Sequence, residues 1–290
     1  MKFSCLLFYS AIICLLSCKK TNTTEPIVPS KEEEKPIIIT EGTYLKADGP
    51  GNTYSLLNSV LGGTAYEVPD CSHPQEHIRE EFDQSLQKNV FVFSIHTNED
   101  NDRCENFDRQ RNEIKTYDPS NEKLKARNGE KVTYRWKFKI DANFQASPSF
   151  CHIHQIKGGD GDDSNPIITI TPRFGANNSD KMELIHIDSY NVTRKVKIVD
   201  LTPFKGQWVE AVEVMKYGTK GTYSLEIKKV GTNDVLLSYE NQNIDLWRTG
   251  MTFSRPKWGI YRSLNNISYL RDEDVRFADF CLAKGDEICK

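Results

Sequence analysis

Alternation of apolar and polar residues is the strongest pattern in the chain. It is clearest in the segment 132–140, where every second residue is apolar: Val132, Tyr134, Trp136, Phe138 and Ile140. A period of two places such residues on one face of a β-strand. We therefore predict a strand with one buried face here.

Further β-rich runs occur along the rest of the chain, and Gly, Asn, Asp or Pro clusters separate most of them. They cover Val90–Ile95, Ile167–Thr171, Met182–Ile187, Val196–Val199, Trp208–Met215, Thr222–Val230, Trp258–Tyr261 and Val275–Phe280. Many short strands without intervening helices are typical of an all-β fold, and we predict a β-jelly roll, a concanavalin-like sandwich of two antiparallel sheets.

One short helix is predicted at about His73–Leu86. Pro74 would lie near its first turn, and Ile78, Phe82 and Leu86 recur at intervals of four residues. We expect this helix to pack on an end of the sandwich.

The N-terminal residues predict export. An apolar run from Leu6 to Leu16 is too short to span a bilayer and ends just before Cys18, which is typical of a lipoprotein signal peptide at 1–17. Cys18 would then carry the lipid anchor. Residues 18–40 are rich in Lys, Thr, Pro and Glu and predict a disordered tether, followed by one folded domain at 41–290. We expect anchoring in a bacterial outer membrane, on either its periplasmic or its cell-surface side.

Composition and cysteine content limit the function classes. The chain has 38% hydrophobic and 27% charged residues and a net charge of -3, so no global charge indicates nucleic-acid binding. Five cysteines remain beyond the signal and anchor, and in an oxidising compartment we predict the pairs Cys71 with Cys104 and Cys281 with Cys289. Cys151 lies in an apolar pattern and is expected to be free and buried. The sequence contains no Cys-x-x-Cys pair, so we do not expect a structural zinc site built from cysteines.

Three segments place several polar groups on one face of a strand. The first is 109–115, where Arg111, Glu113 and Lys115 alternate with Ile114 on the other face. The second is 150–157, which contains His152, His154, Gln155 and Lys157. The third is 255–263, in which a common face is shared by Lys257, Gly259, Tyr261 and Ser263.

These segments resemble motifs of the jelly-roll polysaccharide lyases, a group that includes alginate, glucuronan and ulvan lyases and heparin lyase I. Alginate lyases of that group carry Arg-x-Glu-x-Arg, Gln-Ile-His and Tyr-x-Lys-x-Gly-x-Tyr-x-Gln strands in one groove. Here, in the same order, they read as Arg111-Asn-Glu113-Ile-Lys115, Gln155-Ile-Lys157 and Lys257-Trp-Gly259-Ile-Tyr261-Arg-Ser263. Lys115, Lys157 and Ser263 depart from the alginate lyase pattern, so a glucuronan-like or ulvan-like substrate is favoured over alginate.

The resemblance implies endo-acting β-elimination on an anionic polysaccharide that contains uronic acid. Removing the C5 proton requires neutralisation of the neighbouring carboxylate and a base, and expelling the C4 oxygen requires an acid. We assign neutralisation of the substrate carboxylate to Arg111 and Gln155. Tyr261 is assigned as the acid. Substrate-binding roles are expected for Arg109, Glu113, Lys115, Lys257 and Ser263.

The base is assigned to Lys157 or His154. Nearby cations would lower the pKa of Lys157, whereas a histidine titrates near neutrality without such help. Strict alternation places Lys157 beside Gln155 and places His152 and His154 on the opposite face, which slightly favours Lys157; a β-bulge would reverse that order. Both histidines also fit a structural role, more so His152.

No cofactor is required by this chemistry. The run of glycines and aspartates at 158–163 could bind structural calcium, but it lacks the spacing of a defined calcium loop and also fits a polar turn. The main rival function is a non-catalytic glycan-binding envelope lipoprotein. A glycoside hydrolase is the weakest of the three, because hydrolysis requires two carboxylates and Glu113 is the only acidic residue in the three segments. We expect a monomer that contacts the membrane only through its anchor.

Overall fold

Fifteen strands, one α-helix and three short 3-10 helices are found in the computed structural model, which describes residues 40–71, 75–175 and 178–290. The predicted signal peptide, the lipidation site Cys18 and nearly all of the predicted tether lie outside the described residues. Within the described part, no helix is long and apolar enough to cross a membrane.

Two antiparallel sheets face each other. The first sheet contains β1 (Thr43–Leu45), β3 (Ile78–Asp83), β4 (Lys88–Ile95), β6 (Lys131–Ile140), β11 (Val209–Lys216), β12 (Gly221–Lys229), β13 (Val235–Ile244) and β15 (Glu273–Lys284). Its order is β13-β12-β11-β6-β15-β4-β3, and β1 pairs with β15 on a separate branch.

The second sheet has seven strands. It contains β2 (Tyr66–Glu67), β5 (Arg109–Lys115), β7 (Cys151–Gly158), β8 (Ile168–Gly175), β9 (Ser179–Ile187), β10 (Thr193–Asp200) and β14 (Ser254–Ser263). Its order is β10-β9-β8-β7-β14-β5-β2, so β14 lies between β7 and β5. The two sheets confirm the predicted jelly-roll sandwich.

The predicted alternation fixes which face of each strand is buried. In β6 the five alternating apolar residues are buried, and Trp136 packs against Trp258 of the second sheet with ring centroids 5.8 Å apart. All nine predicted strand runs overlap strands of the structure. Burial of one apolar face per sheet therefore places the core between the sheets.

The predicted helix at His73–Leu86 is wrong for its described part. Residues 72–74 lie outside the described residues, but Ile78–Asp83 forms β3, in which Ile78 pairs with Phe93 of β4. Apolar residues four apart share a face in a strand as well as in a helix. Backbone pairing with β4 makes this segment a strand. The α-helix is α1 (Thr53–Leu61), which buries Leu57 and Leu61.

Cysteine pairing agrees with the prediction. Disulfides join Cys71 to Cys104 and Cys281 to Cys289, whereas Cys151 is a free, buried thiol. The first disulfide connects the segment before β3 to the loop 96–108 that precedes β5.

Candidate functional site

A cluster of charged side chains covers the outer face of the second sheet where β2, β5, β14 and β7 lie side by side. Backbone pairing aligns Tyr261 with Arg111 of β5 and with His152 of β7. It aligns Lys257 with Lys115 and Gln155 in the same way. The structure therefore brings the three polar segments of the sequence together on one surface.

Glu113 lies at the centre of this cluster and is fully buried. Its carboxylate accepts a hydrogen bond from Nη1 of Arg111 at 2.6 Å and one from Gln155, and it pairs with Nζ of Lys257 at 2.8 Å. Burial alone would raise the pKa of Glu113, but Lys257 and Arg111 outweigh it and lower that pKa. Glu113 is thus an ionised anchor for three cationic or polar side chains, which leaves it little access to a substrate.

Glu67 of β2 is a second anchor that the sequence analysis missed. Its carboxylate pairs with Lys257, with Nζ of Lys115 at 2.9 Å and with Nη1 of Arg111 at 3.5 Å. Burial opposes its ionisation, but Lys257, Arg111 and Lys115 lower its pKa well below the usual range. A two-residue strand has no periodicity, so only its pairing with β5 reveals this role.

Arg111 is held from three sides. Nε and Nη2 donate to Asp102 at 2.9 and 3.2 Å, and Nη1 donates to Glu113. Its guanidinium carbon lies 3.6 Å from the ring centroid of Tyr261. Because these hydrogen bonds use all three nitrogens, Arg111 contributes a fixed positive charge beneath the Tyr261 ring.

Tyr261 remains partly exposed at the surface of the cluster. Nη1 of Arg109 donates to its phenolic oxygen at 3.0 Å, while the other side of the Arg109 guanidinium pairs with Asp108. Two arginines therefore flank one phenol, an arrangement that stabilises negative charge developing on or beside its oxygen.

The two histidines of β7 point to opposite faces. His154 is fully buried between the sheets, where Nδ1 bonds to the Lys257 carbonyl and Nε2 lies 3.0 Å from Glu213 of the first sheet. A side chain in this position cannot contact a polysaccharide on the outer face, so the structure does not support His154 as the base.

A bulge explains the placement of His152. Trp258 pairs with His154 and Tyr261 pairs with His152, so three steps along β14 match two along β7. The core therefore takes both Ile153 and His154, while His152 emerges beside Tyr261 with ring centroids 6.0 Å apart. Strict alternation had placed His152 on the inner face, and that expectation is wrong.

His152 is neutral and carries a usable lone pair. Burial, aided by Arg173 and Arg111 and opposed by Glu113, lowers its pKa to about 3. The Thr171 hydroxyl donates to Thr169, so its oxygen accepts from Nδ1–H of His152 at 2.7 Å. That tautomer leaves the lone pair on Nε2.

Lys157 lies on the outer face but far from Tyr261. It pairs with Arg255, which is six residues from Tyr261 along β14, or roughly 20 Å in an extended strand. Burial and then Lys257 lower its pKa to about 8, and its Nζ lies 4.0 Å from Asp163. The structure therefore does not bring Lys157 and Tyr261 to the same sugar residue.

The remaining predicted site residues differ in how far their side chains are exposed at the surface. Lys115 is mostly buried against Glu67, with Nζ 4.7 Å from the ring centroid of Tyr117. Ser263 is buried, and its hydroxyl accepts from the Asn265 backbone. In the predicted calcium run, the carboxylate of Asp160 accepts hydrogen bonds from the backbone N–H and the hydroxyl of Thr252. Among described residues, the aspartates of this run form no group of metal ligands.

Comparisons with known proteins find the same fold. No family model and no curated protein sequence matches the chain. Among solved structures, the endo-β-1,4-glucuronan lyase of the fungus Trichoderma reesei is similar, with a TM-score of 0.56 and 15% identity over 84% of this chain and 95% of that chain.

Two alginate lyases are also similar. The marine enzyme from Aplysia kurodai has a TM-score of 0.55 and 12% identity over 84% of this chain and 98% of that chain. Alginate lyase Aly36B has a TM-score of 0.55 and 8% identity over 84% of this chain and 97% of that chain. At such low identity, these likenesses show a shared jelly-roll fold.

Proposed function

We propose that this chain is a polysaccharide lyase that cleaves a uronic-acid-containing glycan by β-elimination, acting within the glycan chain. One observation carries the proposal: Tyr261 is flanked by Arg109 and Arg111 and lies beside the neutral His152. A fold shared with glucuronan and alginate lyases supports it.

The proposed reaction divides among these groups. Arg109, which is about one-third exposed, reaches the phenol of Tyr261 and would also contact the substrate carboxylate. The positive charge of Arg111 would stabilise the enolate-like intermediate. Tyr261 would donate its proton to the C4 oxygen as the bond to that oxygen breaks.

We propose His152, rather than Lys157 or His154, as the base that accepts the C5 proton. Its Nε2 lone pair lies on the same face as Tyr261, whereas His154 is enclosed in the core. A bound substrate carboxylate would raise the pKa of His152 and so strengthen it as a base. Gln155 and Lys257 would then act through Glu113, by holding the cluster in place.

Lys115, Lys157 and Ser263 depart from the alginate lyase pattern and favour a glucuronan-like or ulvan-like substrate. We also propose that a lipid on Cys18 holds the protein at a bacterial envelope, as its N-terminal sequence predicts. Cleavage there would release oligosaccharides close to the cell.

The test is incubation of the purified protein with glucuronan, ulvan and alginate while ultraviolet absorbance is followed. Elimination creates an unsaturated uronate and hydrolysis does not. Replacing Tyr261 by Phe should reduce the rate at least about 100-fold, a typical contribution of a general acid.

Tyr239→Phe is the matched control, because Tyr239 lies on the first sheet and its hydroxyl accepts a bond from Asn241. This variant should keep the wild-type rate. A folded Tyr261→Phe variant with full activity would show that the site is assigned incorrectly, and binding without any absorbance change would favour a glycan-binding protein.

A further inference from the structure

A second polar cluster lies away from the outer face of the second sheet. His77 directly precedes β3, and His96 directly follows β4, so the antiparallel pairing of these strands brings the two histidines together. Asp100 joins them from a tight turn, in which its amide donates to the His96 carbonyl at 3.1 Å. The three residues therefore come from separate positions that only the fold unites.

Both histidines present a ring nitrogen to the same carboxylate. Nε2 of His77 lies 3.1 Å from Oδ1 of Asp100, and Nδ1 of His96 lies 3.2 Å from Oδ2. One ligand atom from each residue can be chosen so that all three lie within 4.8 Å of one another. In a tetrahedral zinc site with bonds of about 2.0 Å, ligand atoms are roughly 3.3 Å apart, so zinc binding would draw these atoms together by at most about 1.5 Å.

A carboxylate also orients the buried His77 from behind. Nδ1 of His77 lies 2.5 Å from Oδ1 of Asp70, which leaves Nε2 directed at the cluster. Carboxylate, histidine and metal in line are the usual arrangement in zinc proteins, because the carboxylate fixes the ring and raises its basicity. His77 is fully buried, so this orientation is held by the surrounding fold.

Side chains of β5 fix the backbone of all three residues. Nε2 of Gln110 donates to the carbonyls of His96 and Asp100 at 2.8 and 3.0 Å. Nδ2 of Asn112 donates to the carbonyl of His77 at 2.9 Å. The cluster is thus positioned before any ion binds, which reduces the ordering that binding requires.

We propose that His77, His96 and Asp100 bind a zinc ion that stabilises the loop 96–108. Two imidazoles and one carboxylate suit zinc, whereas calcium takes oxygen ligands. The loop also carries Asp102, which holds Arg111, so the ion would support the outer-face cluster from a distance. This inference does not depend on lyase activity.

Metal content of the purified full-length protein tests the proposal directly. After loading with zinc and removal of unbound metal, we expect one zinc per chain. A chelator should lower the thermal midpoint, and zinc but not calcium should restore it. A wild-type chain that retains no zinc after loading overturns the proposal whatever the variants show.

Three variants and a control locate the ion. His96→Ala and Asp100→Asn should lose the bound zinc, and Asp70→Asn should weaken zinc affinity about 10- to 100-fold. Asp160→Asn, in the predicted calcium run, should bind zinc like wild type. Circular dichroism verifies folding, and folded His96→Ala and Asp100→Asn variants that still hold one zinc per chain would contradict the assignment.

Discussion

At the scale of single residues, the identity of the base depends on which groups share the neighbourhood of Tyr261. His152 is mostly neutral above its pKa of about 3, whereas the neutral, proton-accepting form of Lys157 predominates only above its pKa of about 8. If His152 is the base, its ionisation leaves the rate unchanged between pH 5 and pH 7. If Lys157 is the base, the rate increases about tenfold per pH unit over that range.

Values of kcat/KM measured from pH 5 to pH 9 check this prediction, because they report the ionisation of the free enzyme. We expect the flat profile, at least a 100-fold loss for His152→Gln and a far smaller loss for Lys157→Gln. A tenfold rise per unit that disappears in Lys157→Gln would identify Lys157 as the base.

At the scale of elements, Gly259 allows β14 to form the bulge opposite β7. Its φ is +149°, and a Cβ there would lie 2.0 Å from the carbonyl oxygen of Asn112. Gly259→Ala should therefore lower the free energy of unfolding by more than about 3 kcal/mol, because β5 and β14 would have to separate.

Gly231→Ala is the matched control for this substitution. Gly231 has a φ of +90°, but a Cβ at this position would meet no other atom within 4 Å, so only the backbone cost of about 1 kcal/mol should appear. Urea denaturation measures both variants. Equal losses would show that close packing at Gly259 does not matter.

At the scale of the whole molecule, the Cys71–Cys104 disulfide joins the segment before β3 to the loop that carries Asp102. It closes a sequence separation of 33 residues, against 8 for Cys281–Cys289. Loop-closure entropy predicts a loss of about 4 kcal/mol for Cys71→Ser with Cys104→Ser and about 2.5 kcal/mol for the other pair. Urea denaturation of the two double variants checks the order, and a larger loss for Cys281→Ser with Cys289→Ser would contradict it.

The sequence by itself predicted most of the strands, the sandwich and the two disulfides. Alternation in β6 needs only the period of a strand and the removal of apolar side chains from water, and both are local properties of the chain. The sequence also predicted that Arg111, Gln155 and Tyr261 lie on one surface of the sheet, since their motifs lie on single strands.

Only the tertiary structure decided which histidine faces outward, where β3 replaces the predicted helix, and how Glu67 joins the cluster. Each depends on pairing between strands: a bulge between β14 and β7, the β3–β4 hairpin, and the register of β2 on β5. Hydrogen bonds between segments distant in sequence set these registers, and a one-residue shift of register exchanges the inner and outer faces of a strand.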